Sequence, residues 1–194
     1  MRNYIIHAHS PVLRNDAIAY VRRHYYLRFK TTPTESDTYF LARNENGVIV
    51  GSIALEYEKE DGRMGLEHIY AIDRSLIQLP LTRSNGAQFG RWIAEEPSVS
   101  FGLLYAASNY ALLHMRPYGW LNHTDAVHRV LTRKGIVFLP IEATLVLENV
   151  PYGDRTFYET PPFAKCYLME LVHVCTTLSH ILREPIETQA IIFR

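Results

Sequence analysis

Gln88-Phe89-Gly90-Arg91-Trp92-Ile93-Ala94, followed after Glu95-Glu96-Pro97 by Ser98-Val99-Ser100-Phe101-Gly102-Leu103-Leu104-Tyr105-Ala106-Ala107-Ser108, reads as a buried strand that breaks and re-enters as an amphipathic helix. The helix is expected over residues 99–115, with Phe101, Leu104, Tyr105, Ser108, Leu112 and Met115 along one stripe. A strand feeding a helix N-terminus presents backbone N–H groups that can hold an anion or a carbonyl oxygen. The context gives this generic unit direction: a hairpin precedes it and a second strand–helix–strand unit follows.

Upstream, residues 3–7 form a short apolar strand. Residues 15–29 carry Ile18, Val21, Tyr25 and Phe29 near helical spacing, with Asn15 as a cap. Strands over 38–43 and 48–57 flank Asn44-Glu45-Asn46-Gly47, whose Asn-Gly pair suits a type I′ hairpin turn. Residues 66–77 read as a short inserted helix ended by Pro80. Downstream come a strand at 118–122, a helix capped by Thr124 and closed by Lys134-Gly135, strands at 137–139 and 144–147, and a C-terminal helix at about 163–182. This order predicts an α/β fold, a mixed central sheet with helices on both faces, in one domain over residues 1–194.

Composition narrows the function classes. With 194 residues and 47% hydrophobic content, one compact domain with a sizeable core is the default. Lys+Arg and Asp+Glu both number 20, so no net charge argues for nucleic acid or an anionic membrane. No apolar run approaches the roughly 18 residues of a membrane span, and no signal-peptide core opens the chain. The two cysteines, Cys166 and Cys175, fall in the helix expected at 163–182, about 13.5 Å apart along its axis. That distance forbids a disulfide, so reduced thiols and a cytoplasmic location are expected. His7/His9 and His123/His128 lack the acidic or thiolate company of a metal signature, and no metal is expected. No nucleophile elbow or phosphate-binding glycine loop supports a hydrolase or nucleotidase.

Several motifs, taken in order, resemble the GNAT acyltransferases, and within them the autoinducer-synthase-like branch of acyl-homoserine-lactone and N-acyl amino acid synthases. Tyr26-Leu27-Arg28-Phe29 resembles the branch's Leu-Arg-aromatic sequence. Asp37 before Tyr39-Phe40-Leu41-Ala42 resembles its acid-then-strand pattern, and Val48-Ile49-Val50-Gly51-Ser52 its Val-Val-Gly-Ser/Thr strand. Leu66-Glu67-His68-Ile69-Tyr70 resembles the short helix before the central motif. Gln88-x-x-Arg91 stands where the branch has Glu-x-x-Arg, and His128-Arg129 through Phe138-x-Pro140 resembles its Arg-Leu-Leu-x-Arg-x-Gly-Ile-x-Phe ending. The resemblance spans roughly residues 20–150. Two departures stand out: Gln88 replaces a glutamate that is the branch's candidate general base, and Ala54 replaces a common arginine. The loop between Arg28 and Asp37 is shorter than in lactone synthases, so their S-adenosylmethionine acceptor is not carried over.

The resemblance implies an N-acyltransferase that moves a fatty acyl group from a thioester to the primary amine of an amino acid or related metabolite, by direct attack in a ternary complex. Gln88, Arg91, Glu67 and Asp37 are the candidate catalytic positions, with His68 beside Glu67 as a further candidate base. Arg28, Asp37 and Arg91 are expected to form an ion-pair network around the acceptor, and Arg28 to bind substrate. Trp92, Phe101, Tyr105, Trp120 and Phe138 are the expected lining of an acyl tunnel opening between the strands at 88–94 and 118–122. No cofactor is held permanently; the donor is an acyl-phosphopantetheine thioester. Arg116, Arg129, Arg133 and Lys134 form a candidate basic patch for an acidic acyl carrier protein, and Arg22, Arg23, Arg28 and Lys30 a second cluster. Coenzyme A is less favoured, because no glycine loop follows Arg91 and Glu95-Glu96 would repel a pyrophosphate. Two alternatives stay open: an acyl-CoA-dependent acetyltransferase, and a GNAT-fold binding protein that has lost its base.

Overall fold

The computed structural model describes residues 4–8, 11–73, 82, 84–183 and 191–192. Its centre is an eight-stranded sheet built from β1 (Tyr4–Ala8), β2 (Thr38–Asn44), β3 (Ile49–Glu56), β5 (Gly86–Ala94), β6 (Tyr118–His123), β7 (Leu139–Pro140), β9 (Lys165–Glu170) and β10 (Ile191–Ile192). The spatial order is β10-β1-β2-β3-β5-β6-β9-β7. β1, β2, β3 and β5 run antiparallel to one another in succession, and β5 and β6 are parallel. A two-stranded ribbon of β4 (Tyr70–Ile72) and β8 (Ala143–Leu145) stands apart.

Helices cover both faces. α1 (Pro11–Phe29) lies on one, its Ala17 and Val21 packed against Tyr39, Leu41 and Ala54 of the sheet. On the other, α3 (Pro97–Leu113) and α6 (Leu171–Arg183) pack over Phe40, Ile53, Leu55, Phe89 and Leu121. The alternation is the strand period of two: Phe40 and Ala42 enter the α3 core, Tyr39 and Leu41 the α1 core. This is why residues 48–55 are apolar on both faces. A third cluster, Met64, Leu66, Trp120 and Leu168 among others, sits under α2 (Gly65–Ile69). α4 (Asp125–Thr132) follows β6, and α5 (Arg155–Glu159) precedes β9.

Several expectations are corrected. The C-terminal element is not one helix over 163–182 but strand β9 followed by α6. Cys166 to Met169 are all buried, Cys166 and Leu168 on one face and Tyr167 and Met169 on the other. A short run that is apolar on both faces has no period to separate strand from helix. Cys166 is thus on β9 and Cys175 on α6, both as free thiols, and the single-helix argument against a disulfide does not apply. The insertion at 66–77 is a five-residue helix that turns into β4, while residues 74–81 lie outside the described residues. α1 begins at Pro11, so Asn15 is inside it and caps nothing; a proline in the first turn costs no hydrogen bond.

The hairpin forms, but Gly47 alone takes a positive φ (74°), with its N–H donating to the Asn44 carbonyl at 2.9 Å. Asn44 Oδ1 accepts from the N–H groups of Asn46 and Val48, holding a tight turn with a glycine bulge in place of type I′. α3 is not amphipathic: Phe101, Gly102, Leu103, Leu104, Ala106 and Ala107 are all buried, because the sheet covers one side and α6 the other. The strands expected at 137–139 and 144–147 shorten to Leu139–Pro140 and Ala143–Leu145. Among the described residues no helix is long and apolar enough to cross a membrane.

Candidate active site

In a regular strand, residues three apart point to opposite faces, so Gln88 and Arg91 should not share a site. A β-bulge brings them together. Glu56, Leu55 and Ala54 pair with Gln88, Phe89 and Gly90, but Ser52 and Gly51 pair with Ile93 and Ala94, leaving one extra residue on β5. Arg91 absorbs it at φ 50°, and its carbonyl accepts from Ser52 Oγ at 3.1 Å. Beyond the bulge the faces exchange: Trp92 and Ala94 turn to the α3 core and Ile93 to the α1 core.

The same bulge parts β5 from β6. Their parallel ladder runs from Gly86↔Tyr118 to Phe89↔Leu121 and stops, although β5 continues to Ala94 and β6 to His123. A cavity of about 1070 Å³ opens there. Gly90 to Pro97 line it from β5 and the start of α3, Leu121 to His123 from β6, Thr124 from the turn that follows, and Ala126, Val127, Val130 and Leu131 from α4. From α1 it receives His24, Tyr25, Leu27, Arg28 and Phe29.

Two polar assemblies face this cavity, the first part-buried and the second buried. In the first, Arg91 donates through Nε to the Thr34 carbonyl (3.1 Å) and through one terminal nitrogen to Thr34 Oγ1 (2.6 Å) and Asp154 Oδ2 (3.4 Å), with its guanidinium 5.5 Å from the Tyr25 ring centre. Burial works against its charge, but Tyr25, Asp154 and Glu56 more than offset that and hold it protonated. In the second, Leu66 N–H donates to Gln88 Oε1 (2.6 Å), Gln88 Nε2 donates to Glu56 Oε2 (3.1 Å), and Ser36 Oγ donates to Glu56 Oε1 (2.7 Å). Glu56 is 8% exposed and lines the cavity. Gly65 makes room for the pair: a Cβ there would lie 2.8 Å from Glu56 Oε2 and 3.0 Å from Gln88 Oε1.

The expected site residues divide. Gln88, Arg91, Arg28, Trp92 and Phe101 line the cavity. Glu67 and Asp37 do not: Glu67 Oε2 accepts the Met64 N–H at the start of α2, and Asp37 accepts the Tyr57 N–H and pairs with Lys59 at 3.8 Å. Arg28, Asp37 and Arg91 therefore form no common network. Arg28 is exposed at the cavity, its guanidinium 5.2 Å from the Phe29 ring centre. His68 lines the cavity and lies 3.5 Å from Asp61.

Tyr105, Trp120 and Phe138 are not in the cavity wall. Tyr105 packs on the α3 core, and Trp120, fully buried opposite Gln88, packs under α2. Phe138 meets His123, a lining residue, edge to face, in a cluster with His128 and Tyr167. Apolar spacing selected buried side chains without telling which face the gap. Of the basic residues, Arg116 is bound inward to Glu58 Oε2 (2.7 Å) and the Gly86 carbonyl (2.6 Å), over the Tyr57 ring, which its flanking Pro117 gave no hint of. Arg22 is paired with Glu35. Arg129, Arg133 and Lys134 are exposed on and just after α4.

Glu56 and Asp154 are the residues that sequence reading missed. Glu56 ends an apolar strand and looks like the first polar residue of the turn; only register reveals that it faces Gln88. Asp154 comes from a turn 63 residues beyond Arg91. Neither cysteine serves as a nucleophile here: burial pushes both thiols up to about 12, and neither lines the cavity. Among the described residues, no group of three or more His, Cys, Asp or Glu is placed to hold a metal ion.

No protein-family model matches the sequence, and no curated protein matches it. Solved structures do. The CoA-dependent acyl-homoserine lactone synthase BjaI, with SAM and isopentyl-CoA, superposes with a TM-score of 0.63 at 13% identity, covering 99% of this chain and 94% of that one. TofI, in a ternary complex with an inhibitor and MTA, gives 0.61 at 14% identity, covering 91% and 96%. A GNAT-family acetyltransferase from Staphylococcus aureus Mu50 gives 0.50 at 12% identity, covering 87% and 99%. With the bulged β5, the parted β5–β6 pair and these superpositions, the chain has the GNAT fold, to which acyl-homoserine lactone synthases and GNAT acetyltransferases superpose.

Proposed function

We propose that the protein is an N-acyltransferase that moves a fatty acyl group from a phosphopantetheine thioester to the primary amine of an amino acid or related small metabolite. One observation carries this reading: the cavity between the parted ends of β5 and β6. Its volume is just above the roughly 300–1,000 Å³ of small-molecule sites, and it joins an apolar wall (Phe101, Leu121, Val127, Val130, Leu131) to the buried Glu56 and Gln88 and the part-buried Arg91. A shallow pocket would suit an acetyl group, and a cleft filled by side chains would suit a binding protein; the volume and the apolar wall favour a longer acyl chain.

The thioester enters between β5 and β6, its carbonyl beside the bulge and its acyl chain along α3 and α4. The amine is held on the α1 side, where Arg28 is free to meet an acceptor carboxylate. Arg91 is not, since Thr34 and Asp154 already occupy two of its nitrogens, and it shapes the floor instead. Attack is direct, with no acyl-enzyme, and the developing oxyanion is met by backbone N–H groups, worth about 10²–10³ in rate for each donor.

The donor we favour is acyl carrier protein. Glu95 and Glu96 line the cavity at the start of α3, where a pyrophosphate would be repelled, while Arg129, Arg133 and Lys134 offer an exposed basic surface beside it. BjaI is CoA-dependent, so both donors belong in the test. Purified protein is given octanoyl-carrier protein or octanoyl-CoA with the dialysable small molecules of a bacterial lysate, and thiol release is followed. Release with the carrier-protein donor that is abolished in Gly90→Leu supports the reading. Gly90 lines the cavity with nothing within 4 Å of its Cβ position, so a leucine side chain can enter the gap beside the bulge and block it. Release only with octanoyl-CoA would replace the carrier protein by coenzyme A, and no release with either would sink acyl transfer.

A further inference from the structure

We propose that Glu56 is the general base for the acceptor amine, its carboxylate supplied from β3 to the place that Gln88 leaves without one on β5. The proposal rests on the N-acyl-transfer reading above.

The hydrogen-bond pattern fixes the chemical character of each group. Leu66 N–H can only donate, so the Gln88 atom 2.6 Å from it is the carbonyl oxygen. That leaves Nε2 toward Glu56, and an amide NH₂ can only donate, so Glu56 Oε2 accepts. Ser36 supplies a hydroxyl to the other oxygen. Both Glu56 oxygens thus face neutral donors, the Ser36 hydroxyl and the Gln88 amide. Gln88 in turn has both ends committed and no capacity to take a proton. Direct opposition in the ladder, Glu56↔Gln88, puts the two side chains on one face and within reach of one substrate atom. Moving the carboxylate one strand across therefore displaces the base by about one strand spacing, roughly 4.8 Å, and keeps it on the cavity wall.

The step balances as follows. The acceptor arrives as an ammonium and gives one proton to the Glu56 carboxylate. The freed nitrogen lone pair forms the N–C bond at the thioester carbonyl. The C–S bond breaks with its electron pair on sulfur, and the second N–H proton passes to that sulfur, giving the free thiol. Glu56 returns its proton to solvent. Ser36 and Gln88 act as positioning residues that keep the carboxylate turned toward the amine.

The test measures N-octanoyl product by mass spectrometry, with octanoyl-carrier protein and octanoyl-CoA as donors and the dialysable small molecules of a bacterial lysate as acceptors. Glu56→Gln preserves shape, and a thermal melt of each variant shows whether it folds. The rate in folded E56Q is expected to fall about 10²-fold or more. The double variant E56Q/Q88E, which moves the carboxylate back to β5 within the same network, is expected to recover at least about tenfold of that loss, which a merely structural role for Glu56 would not give. A folded E56Q within about threefold of wild type overturns the assignment while leaving acyl transfer standing. If E56Q does not fold, the double variant decides: folded and active supports the carboxylate, folded and inactive overturns it. No N-octanoyl product from the wild type overturns the acyl-transfer reading and this one with it.

Discussion

Arg91 holds a left-handed backbone (φ 50°) that costs a non-glycine residue on the order of 1–3 kcal/mol, and its side chain explains why that is tolerated. Its guanidinium ties the Thr34 loop and the Asp154 turn to the sheet, with side-chain exposures of 13% for Arg91 and 7% for Asp154. Arg91→Ala should therefore act first on stability, by about 3–5 kcal/mol, because it leaves a buried carboxylate without its cation. Arg91→Ala/Asp154→Asn should be more stable than Arg91→Ala alone; thermal melts showing strict additivity would remove the ion pair from the account. His123 carries the pH dependence at this scale. Burial, with His128 beside it, lowers its pKa to about 4, against 6.5 in the unfolded chain. A lowered folded value means that the unfolded state binds more protons between these limits. Stability is thus full above about pH 6.5 and is lost as pH falls through 4, by about 3 kcal/mol in all. His123→Phe keeps the stacking against Tyr167 and should not lose this increment, so urea titrations at pH 7 and pH 4 should diverge by that amount between the two proteins.

At the scale of elements, most of the architecture is legible where a sequence signal has a single physical meaning. Asn-Gly fixed a hairpin, Thr124 and Lys134-Gly135 bounded a helix, and the strand at 88–94 and helix after Pro97 were placed to within a residue or two. Elements apolar on every side were misread, because burial on both faces erases the period: β9 passed for helix, and α3 passed for amphipathic. The site was half legible. Gln88 and Arg91 could be paired only through a motif, since their spacing contradicts a regular strand, and that contradiction is itself the mark of the bulge. Glu56 and Asp154 could not be found, because their partners are set by register and by a distant turn. The close packing of α3 on β3 gives a direct check. A Cβ at Gly51 would lie 2.7 Å from Val99 Cγ1, 2.9 Å from Leu103 Cδ1 and 3.0 Å from the Ile93 carbonyl. Gly51→Ala should cost about 1–3 kcal/mol, read as a lower urea midpoint at unchanged slope. An unchanged midpoint would mean that α3 stands farther from the sheet than described.

For the whole molecule, the equal numbers of acidic and basic residues conceal an uneven surface: Glu95 and Glu96 at the cavity, Arg129, Arg133 and Lys134 on the neighbouring helix end. If a carrier protein docks there, Arg129→Glu/Arg133→Glu should lower kcat/KM for octanoyl-carrier protein by about tenfold or more, with the loss largest at low salt, and leave octanoyl-CoA nearly untouched. Equal effects on both donors would move the docking surface elsewhere. The most direct test of acyl transfer itself is mass spectrometry of lipid extracts from bacteria expressing the wild type or Gly90→Leu at matched levels of folded protein. An N-acylated small amine is expected with the wild type and not with Gly90→Leu. The same product profile from both proteins, or no new amide from either, would contradict this expectation.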